Sequence, residues 1–414
     1  MDTKTLRCGL LGRKLGHSYS PAIHERLADY SYRLFEVEPE DLGAFLQEGA
    51  FDGLNVTIPY KKDVIPYCAE LSDTARAIGA VNTLVRRADG TLWGDNTDAY
   101  GFSMLVQSSG ADIAGKKALV FGSGGASATA QYVLRQLGAR EVVVISRHGE
   151  DNYENLDRHA DAQIAVNTTP VGMYPNTGVS PVDLHRLPRL EAALDVVYNP
   201  ARTEFLLQAE ARGLRRVNGL LMLAAQAKKT CEDFTGEPVD DAKIFSITKA
   251  LEAQMHNVIL IGMPGSGKTT IGTLVAKRLG RTFVDADSAL EREAGMPIPE
   301  IFRREGEAGF RRRETAVLAE LGRQSGLVLA TGGGSVTREE NYPLLHQNGE
   351  IFCLQRALER LPSAGRPVSQ ALGAQTIYAQ RKPLYARFAD AMIDNNGTPE
   401  AAAAQILEVL GCSC

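Results

Sequence analysis

Val258-Ile-Leu-Ile-Gly262-Met-Pro-Gly265-Ser266-Gly267-Lys268-Thr269-Thr270 is the stretch that decides the fold of the second half of this chain. Four apolar residues lead into a glycine-rich turn, and Ile271–Leu279 behind it reads as a helix. Strand, turn and helix in that order are the context of a phosphate loop, and every fixed position of G-x-x-x-x-G-K-[ST] is filled. Gly262, Gly265, Ser266, Gly267, Lys268, Thr269 and Thr270 are therefore expected to bind ATP. Backbone N–H groups and the helix N-terminus would cradle the anion. Lys268 would reach the outer phosphates and Thr269 would ligate Mg²⁺. The loop does not say which acceptor is phosphorylated.

Working outward, 414 residues predict two or three domains, each with its own core. A formal net charge of −5 with no basic stripe argues against a nucleic-acid partner. Cys8, Cys68, Cys231, Cys353, Cys412 and Cys414 form no C-x-x-C pair, which points to free thiols in a reducing cytoplasm. Cys412-Ser-Cys414 reads as a frayed tail rather than a metal clip. No apolar run approaches the length of a signal peptide or a membrane span, so no membrane is expected.

In the first third, a strand at Cys8–Leu11 runs toward Ser18, Ser20 and Pro21. Pro21 suits a helix's first turn with Ser20 as its cap, although that leaves Ser18 without a role. Gly53–Pro59 reads as a strand, with a helix starting near Lys61. Lys61, at a strand's exit beside Thr57, is placed as a general acid or base would be; taken alone it could equally be a solvated surface lysine. Asn82 falls at a strand edge and a hairpin turns at Ala88-Asp-Gly90. Trp93–Gly101 is too polar for a core strand and reads as a functional loop. Within it, Asp98 is either a helix cap or the carboxylate partner of Lys61.

These four motifs, His17-Ser-x-Ser-Pro21, Asn55-Val-Thr-Ile-Pro-x-Lys61, Gly79-Ala-Val-Asn-Thr83 and Gly94-Asp-Asn-Thr-Asp98, resemble those of the shikimate dehydrogenases, in the family's order. The resemblance implies that Ser18, Ser20, Thr57, Asn82 and Asp98 hold the substrate, with Lys61 and Asp98 as the catalytic pair. It also implies that Tyr198, Gly219 and Gln226 close over cofactor and substrate.

Lys117–Ser127 is a strand, a glycine turn and a helix start, the dinucleotide fingerprint. Gly122, Gly124, Gly125 and Ala126 form the turn, and Ser127 stands where the third glycine or alanine falls. The next strand, Glu141–Ile145, ends in Ser146-Arg147 rather than an acid. An arginine there can pair with a 2′-phosphate, which favours NADP over NAD, or it is a surface residue. Only about twenty residues separate Arg147 from Ile164, too few for another βα unit. The nucleotide lobe is therefore expected to be a trimmed Rossmann fold.

Behind the phosphate loop, Asp285 and Asp287 alternate on one side of a strand's end. One acid near Mg²⁺ and one near an acceptor hydroxyl is what phosphoryl transfer requires; helix capping by Asp287 or Ser288 is the competing reading. Among the arginines of 302–314, anchored by Phe302 and Phe310, at least one should face inward. Gly332–Gly334, Arg366-Pro367 and Arg381-x-Pro-Leu-Tyr385 follow. This set resembles shikimate kinase along essentially the whole half. The resemblance implies that Asp287, Arg311, Gly333 and Arg381 bind shikimate, with Asp287 nearest the reacting hydroxyl. Asp285 and Thr269 would hold Mg²⁺, Lys268 would act in catalysis, and Arg366 on a lid would reach the phosphates.

The sequence thus predicts an α/β chain throughout. Residues 1–253 form a dehydrogenase-like part, with a substrate lobe (about 1–105 plus about 218–253) and a trimmed Rossmann NADP lobe (about 106–217). Residues 254–414 form a P-loop domain of the nucleoside-monophosphate-kinase type, joined by a short linker near Glu252–Asn257. The expected chemistry is NADPH-dependent reduction of 3-dehydroshikimate followed by phosphorylation of shikimate from MgATP, in chorismate and aromatic amino acid biosynthesis. The alternative is an active kinase with a non-catalytic, or quinate- and NAD-preferring, front part.

Overall fold

The computed structural model describes residues 6–16, 18–361 and 374–412. His17 of the first motif, Arg366, Pro367 and the rest of the expected lid through Gly373, and Cys414 lie outside the described residues. The chain divides into two compact units. One comprises Met1–Gly172, Val179–Tyr198 and Phe205–Ala250; the other comprises Met173–Gly178, Asn199–Glu204 and Leu251–Cys414. Among the described residues no helix is long and apolar enough to cross a membrane.

The first unit begins with β1 (Arg7–Gly12), α1 (Ser20–Leu27), β2 (Ser31–Glu36), α2 (Leu42–Glu48) and β3 (Gly53–Val56). Then come β4 (Cys68–Leu71), α3 (Asp73–Ile78), β5 (Thr83–Arg86), β6 (Leu92–Asp95) and α4 (Asp98–Ser109). They form a six-stranded mixed sheet, β2-β1-β3-β5-β6-β4. Three expectations change here. Ser20 is the first helical residue of α1 rather than its cap, and its N–H is taken by the Ser18 hydroxyl at 3.2 Å. No helix begins near Lys61; a run of turns leads to a short 3-10 turn at Ile65–Tyr67. Trp93–Asp95 is strand, not loop, because β6 is paired on both sides, with β5 and with β4. The polar residues at its end are satisfied by partners: Ser72 donates to Asp95, and Asn96 donates to the Ala80 carbonyl.

A second, all-parallel sheet follows in the same unit: β7 (Lys117–Phe121), α5 (Gly125–Gln136), β8 (Glu141–Ile145), β9 (Ile164–Asn167), β10 (Ala192–Asp195), α6 (Glu204–Ala211) and β11 (Arg215–Val217). Its order is β11-β10-β9-β7-β8. β7 is buried on both faces, Leu119 and Phe121 toward one core and Ala118 and Val120 toward the other, as parallel strands require. The crossover from β8 to β9 contains one 3-10 turn, Leu156–His159, and no α-helix, so β8 is the sheet's edge. The Rossmann lobe is trimmed at this point. The chain then returns to the first lobe through α7 (Leu220–Thr235).

A helix, α8 (Ala242–Met255), occupies most of the segment expected to be a linker, and Ile244, Ile247, Leu251 and Met255 along it are buried. The second unit continues with β12 (Asn257–Ile261), α9 (Lys268–Leu279), β13 (Thr282–Asp285), α10 (Ala286–Ala294), α11 (Ile298–Gly322) and β14 (Leu327–Ala330). α12 (Asn341–His346), β15 (Gly349–Gln355), α13 (Ala374–Phe388), β16 (Ala391–Asp394) and α14 (Pro399–Val409) complete it. The parallel sheet is β13-β14-β12-β15-β16. Ile259 and Ile261 face one core, Val258 and Leu260 the other. In both parallel sheets the strand order reverses beside the strand that carries the glycine turn, the place where such sheets bind ligands.

Candidate functional site

In the first unit a cavity of about 270 Å³ is lined by Ser18, Ser20, Thr57, Lys61, Asn82, Asp98, Tyr198, Gly219 and Gln226. Lys61 Nζ stands 2.6 Å from Asp98 Oδ2, both side chains largely shielded from solvent. Asp98 opens α4 but caps nothing; the preceding Thr97 occupies the cap position. Its carboxylate therefore serves Lys61. Gln226 comes from α7, which approaches α4 closely because position 101 is glycine: a Cβ there would meet the Met222 carbonyl oxygen at 2.7 Å. Asn82 is held by Thr97, whose N–H donates to its Oδ1 at 2.7 Å, while its own Nδ2 donates to the Thr97 hydroxyl at 3.1 Å.

At the end of β7 the glycine turn has the shape a pyrophosphate needs. Gly122 has φ 108°, and a Cβ on it would sit 2.9 Å from both Thr168 Oγ1 and Thr169 Cγ2. Gly124 and Gly125 have open space where a Cβ would be, a cradle without walls, and Ala126 follows in the first turn of α5. Ser127 is fully buried, filling the close helix–strand contact expected of a small residue. Arg147 is exposed just past β8 and carries no ion pair among the described residues.

In the second unit a cavity of about 640 Å³ joins the phosphate loop to an acid and arginine cluster. Gly262, Gly265 and Gly267 all have positive φ. Lys268 Nζ donates to the carbonyls of Gly262 at 2.9 Å and Met263 at 3.1 Å. Thr269 Oγ1 donates to Asp285 Oδ2 at 3.0 Å, so the two oxygens expected to hold Mg²⁺ are neighbours. Asp285 also caps α10, accepting from the N–H groups of Asp287 and Ser288. The cap is therefore neither Asp287 nor Ser288, and Asp287 lies in the helix's first turn rather than on the strand.

Asp287, Arg311, Gly333 and Arg381 all line this cavity. Arg311 is the inward arginine, 8% exposed, donating to Glu314 at 2.6 Å with its guanidinium over the Phe310 ring. Arg381 and Tyr385, both from α13, donate to the Gly333 carbonyl at 2.9 and 2.6 Å. The three glycines lie close against their neighbours, Gly333 against a ring and backbone nitrogen that cannot give way. A Cβ at 332 would meet Glu314 and Asp287, one at 333 Pro264, and one at 334 Arg311 at 2.2 Å.

Burial first, then the nearby Asp285 and Glu314 carboxylates, raise the Asp287 carboxyl from 3.8 to about 6. Phosphoryl transfer by this site is expected to lose kcat/KM below about pH 6 as Asp287 takes up a proton, which a pH–rate profile from 5 to 8 would show. The folded chain binds that proton more tightly than the unfolded chain. The ionised carboxylate thus costs stability above about pH 6, and the cost is relieved as pH falls toward 3.8. Asp287→Asn should accordingly raise Tm at pH 7.5 while removing activity.

Comparison with known proteins is decisive for the first unit. Residues 10–84 match the shikimate dehydrogenase substrate binding domain. A Clostridium perfringens shikimate dehydrogenase (NADP(+)) is 37% identical over 267 residues, covering 59% of this chain and 98% of that protein. The chain belongs to the shikimate dehydrogenase family. Residues 264–411 match shikimate kinase, so the dehydrogenase is followed by a kinase domain in one bifunctional enzyme. Among solved structures, a chorismate mutase/shikimate 5-dehydrogenase fusion from Clostridium acetobutylicum is 36% identical, with a TM-score of 0.57 over 60% of this chain and 98% of that one. Shikimate 5-dehydrogenase from Thermus thermophilus, solved with NADP(H) and shikimate, is 33% identical with a TM-score of 0.55, covering 59% and 99%.

The dehydrogenase cavity also contains Asn55, which the sequence reading passed over. It accepts from Tyr32 at 2.8 Å and donates to Thr230 at 3.1 Å, inside a buried hydroxyl cluster of Thr83, Thr97 and Thr230. Its position in the same strand motif as Thr57 was the available signal. In the kinase cavity, Glu291, Glu314 and Arg356 were likewise given no role, while Phe302 and Phe310, expected as anchors of the arginine segment, stack on each other in the cavity wall. The rings' function as a wall had no local sequence signature.

Proposed function

We propose that the two cavities carry out consecutive steps: reduction of 3-dehydroshikimate to shikimate, then phosphorylation of shikimate at its 3-hydroxyl. The observation that supports this reading is that both cavities suit one small hydroxylated acid. The first offers the hydroxyls of Ser18 and Ser20 and the amides of Asn82 and Gln226; the second offers the guanidiniums of Arg311 and Arg381. Residues 1–253 are assigned to the first step and 254–414 to the second.

NADPH, when bound along the turn of Gly122, Gly124, Gly125, Ala126 and Ser127 beside Gly219, supplies the hydride. Lys61 gives its proton to the oxygen that becomes the new alkoxide, and Asp98 holds the ammonium in position and accepts from a substrate hydroxyl. In the kinase cavity MgATP supplies the phosphoryl group. Asp287 orients the acceptor hydroxyl, Thr269 and Asp285 fit the metal, and Lys268 neutralises the outer phosphates. The test is one vessel containing 3-dehydroshikimate, NADPH, ATP and Mg²⁺. Shikimate 3-phosphate is expected, and its absence with both substrates consumed separately or not at all would overturn the sequence of steps.

Arg147 supports NADP(H) over NAD(H) and so argues against the quinate- and NAD-preferring alternative. Arg147→Ala should raise KM for NADPH on the order of tenfold, because one charge-assisted contact at an exposed edge is lost. KM for NADH should not change, and initial rates with the two cofactors would show the split.

A further inference from the structure

Arg356 follows β15, the strand paired with β12, so it emerges at the sheet end that carries the phosphate loop. Its side chain lines the kinase cavity. A guanidinium nitrogen lies 4.0 Å from where a Cβ on Gly267 would be, and the Asn395 amide, which donates to the Ser266 carbonyl, crowds the same position at 2.9 Å. Gly267 is thus flanked by an amide that holds the loop and by a cation that faces it.

The Arg356 Nε is buried and has no hydrogen-bond partner, and no ion pair reaches the side chain among the described residues. A guanidinium cannot discard its proton near neutral pH, and a shielded donor without an acceptor is unfavourable. The other two cavity arginines differ. Arg311 is paired with Glu314 and Arg381 with the Gly333 carbonyl, both at the Asp287 part of the cavity. Among the described residues Arg356 is therefore a charge lacking a protein acceptor, set against a loop whose N–H groups already select an anion.

We propose that Arg356 is a phosphate-binding residue of the kinase, contacting an inner phosphate oxygen of the nucleotide at the Gly267 end of the loop. The proposal rests on the kinase reading above. Gly267 sits where backbone N–H groups cradle the α- and β-phosphates, whereas Lys268 serves the outer ones. Arg356 should then grip ADP as firmly as ATP, and its effect should fall on nucleotide affinity rather than on the chemical step.

The experiment is calorimetric titration of the full chain with MgADP and with MgATP, comparing wild type, Arg356→Ala, Arg356→Gln and Arg356→Lys. Both uncharged variants should raise Kd for the two nucleotides about equally, by roughly ten- to a hundredfold, as expected for one charged hydrogen bond. Lysine should restore part of the affinity. KM for ATP should rise while kcat and KM for shikimate hold, and reduction of 3-dehydroshikimate serves as the folding control. Unchanged Kd values in folded Arg356→Gln would overturn the proposal, and so would a loss confined to ATP, which would place Arg356 on the γ-phosphate. A wild-type chain that binds neither nucleotide would instead sink the kinase reading, and the proposal with it.

Discussion

Lys61→Ala is expected to lower kcat for reduction of 3-dehydroshikimate by about 10²–10⁴, the range contributed by one positioned proton donor. Phosphorylation of shikimate by the same chain should be unaltered. Lys61 Nζ is 2.6 Å from Asp98 in a small cavity. An ammonium held there can give its proton to an oxygen as negative charge develops on it, and Asp98 keeps its charge in place before and after. Lys61→Arg separates charge from proton transfer. It preserves a cation beside Asp98 but offers a group that does not release its proton near neutral pH. Arginine should therefore fail nearly as badly as alanine. Recovery of more than about a tenth of the rate by arginine would mean that Lys61 acts by charge alone.

Lys268→Ala should do the reverse. Phosphoryl transfer is catalysed mainly by positioning and charge neutralisation, so loss of the loop's cation should lower kinase kcat by about 10²–10³ or more. Lys268 Nζ rests on the Gly262 and Met263 carbonyls of the loop itself, and the residue lines the cavity. Reduction with NADPH should proceed at the wild-type rate. Loss of both activities in Lys268→Ala would contradict two independent sites.

What the sequence disclosed follows from how local each signal is. The phosphate loop and the dinucleotide turn are contiguous, and their glycines are dictated by backbone shape, so Gly262–Thr270 and Gly122–Ser127 could be read directly. The strand Trp93–Asp95 could not, since its polar end is tolerable only through neighbours distant in sequence: β4, β5, Ser72 and Ala80. Ser20 and Asp98 were ambiguous for a related reason. A short polar residue at a helix start looks like a cap, and only the position of Ser18 and Lys61 shows otherwise. Phe302, Phe310 and Glu314 reach the kinase cavity from α11 while Arg356 reaches it from the end of β15, a convergence that spacing within either element does not encode.

The close seat of α7 on α4 at Gly101 has a consequence for how the enzyme is made. Lys61 and Asp98 are synthesised early, but Gly219, Met222, Leu223 and Gln226, which form the facing wall, arrive only after the whole nucleotide lobe. At about 5–20 residues per second the ribosome takes on the order of ten seconds to cross that gap. Throughout it the face of α4 around Gly101, which α7 covers in the finished lobe, lacks that partner. A nascent chain arrested before Leu220 would thus hold both reactive side chains and still lack a pocket. The first lobe is completed by a helix, α7, that is made only after the nucleotide lobe.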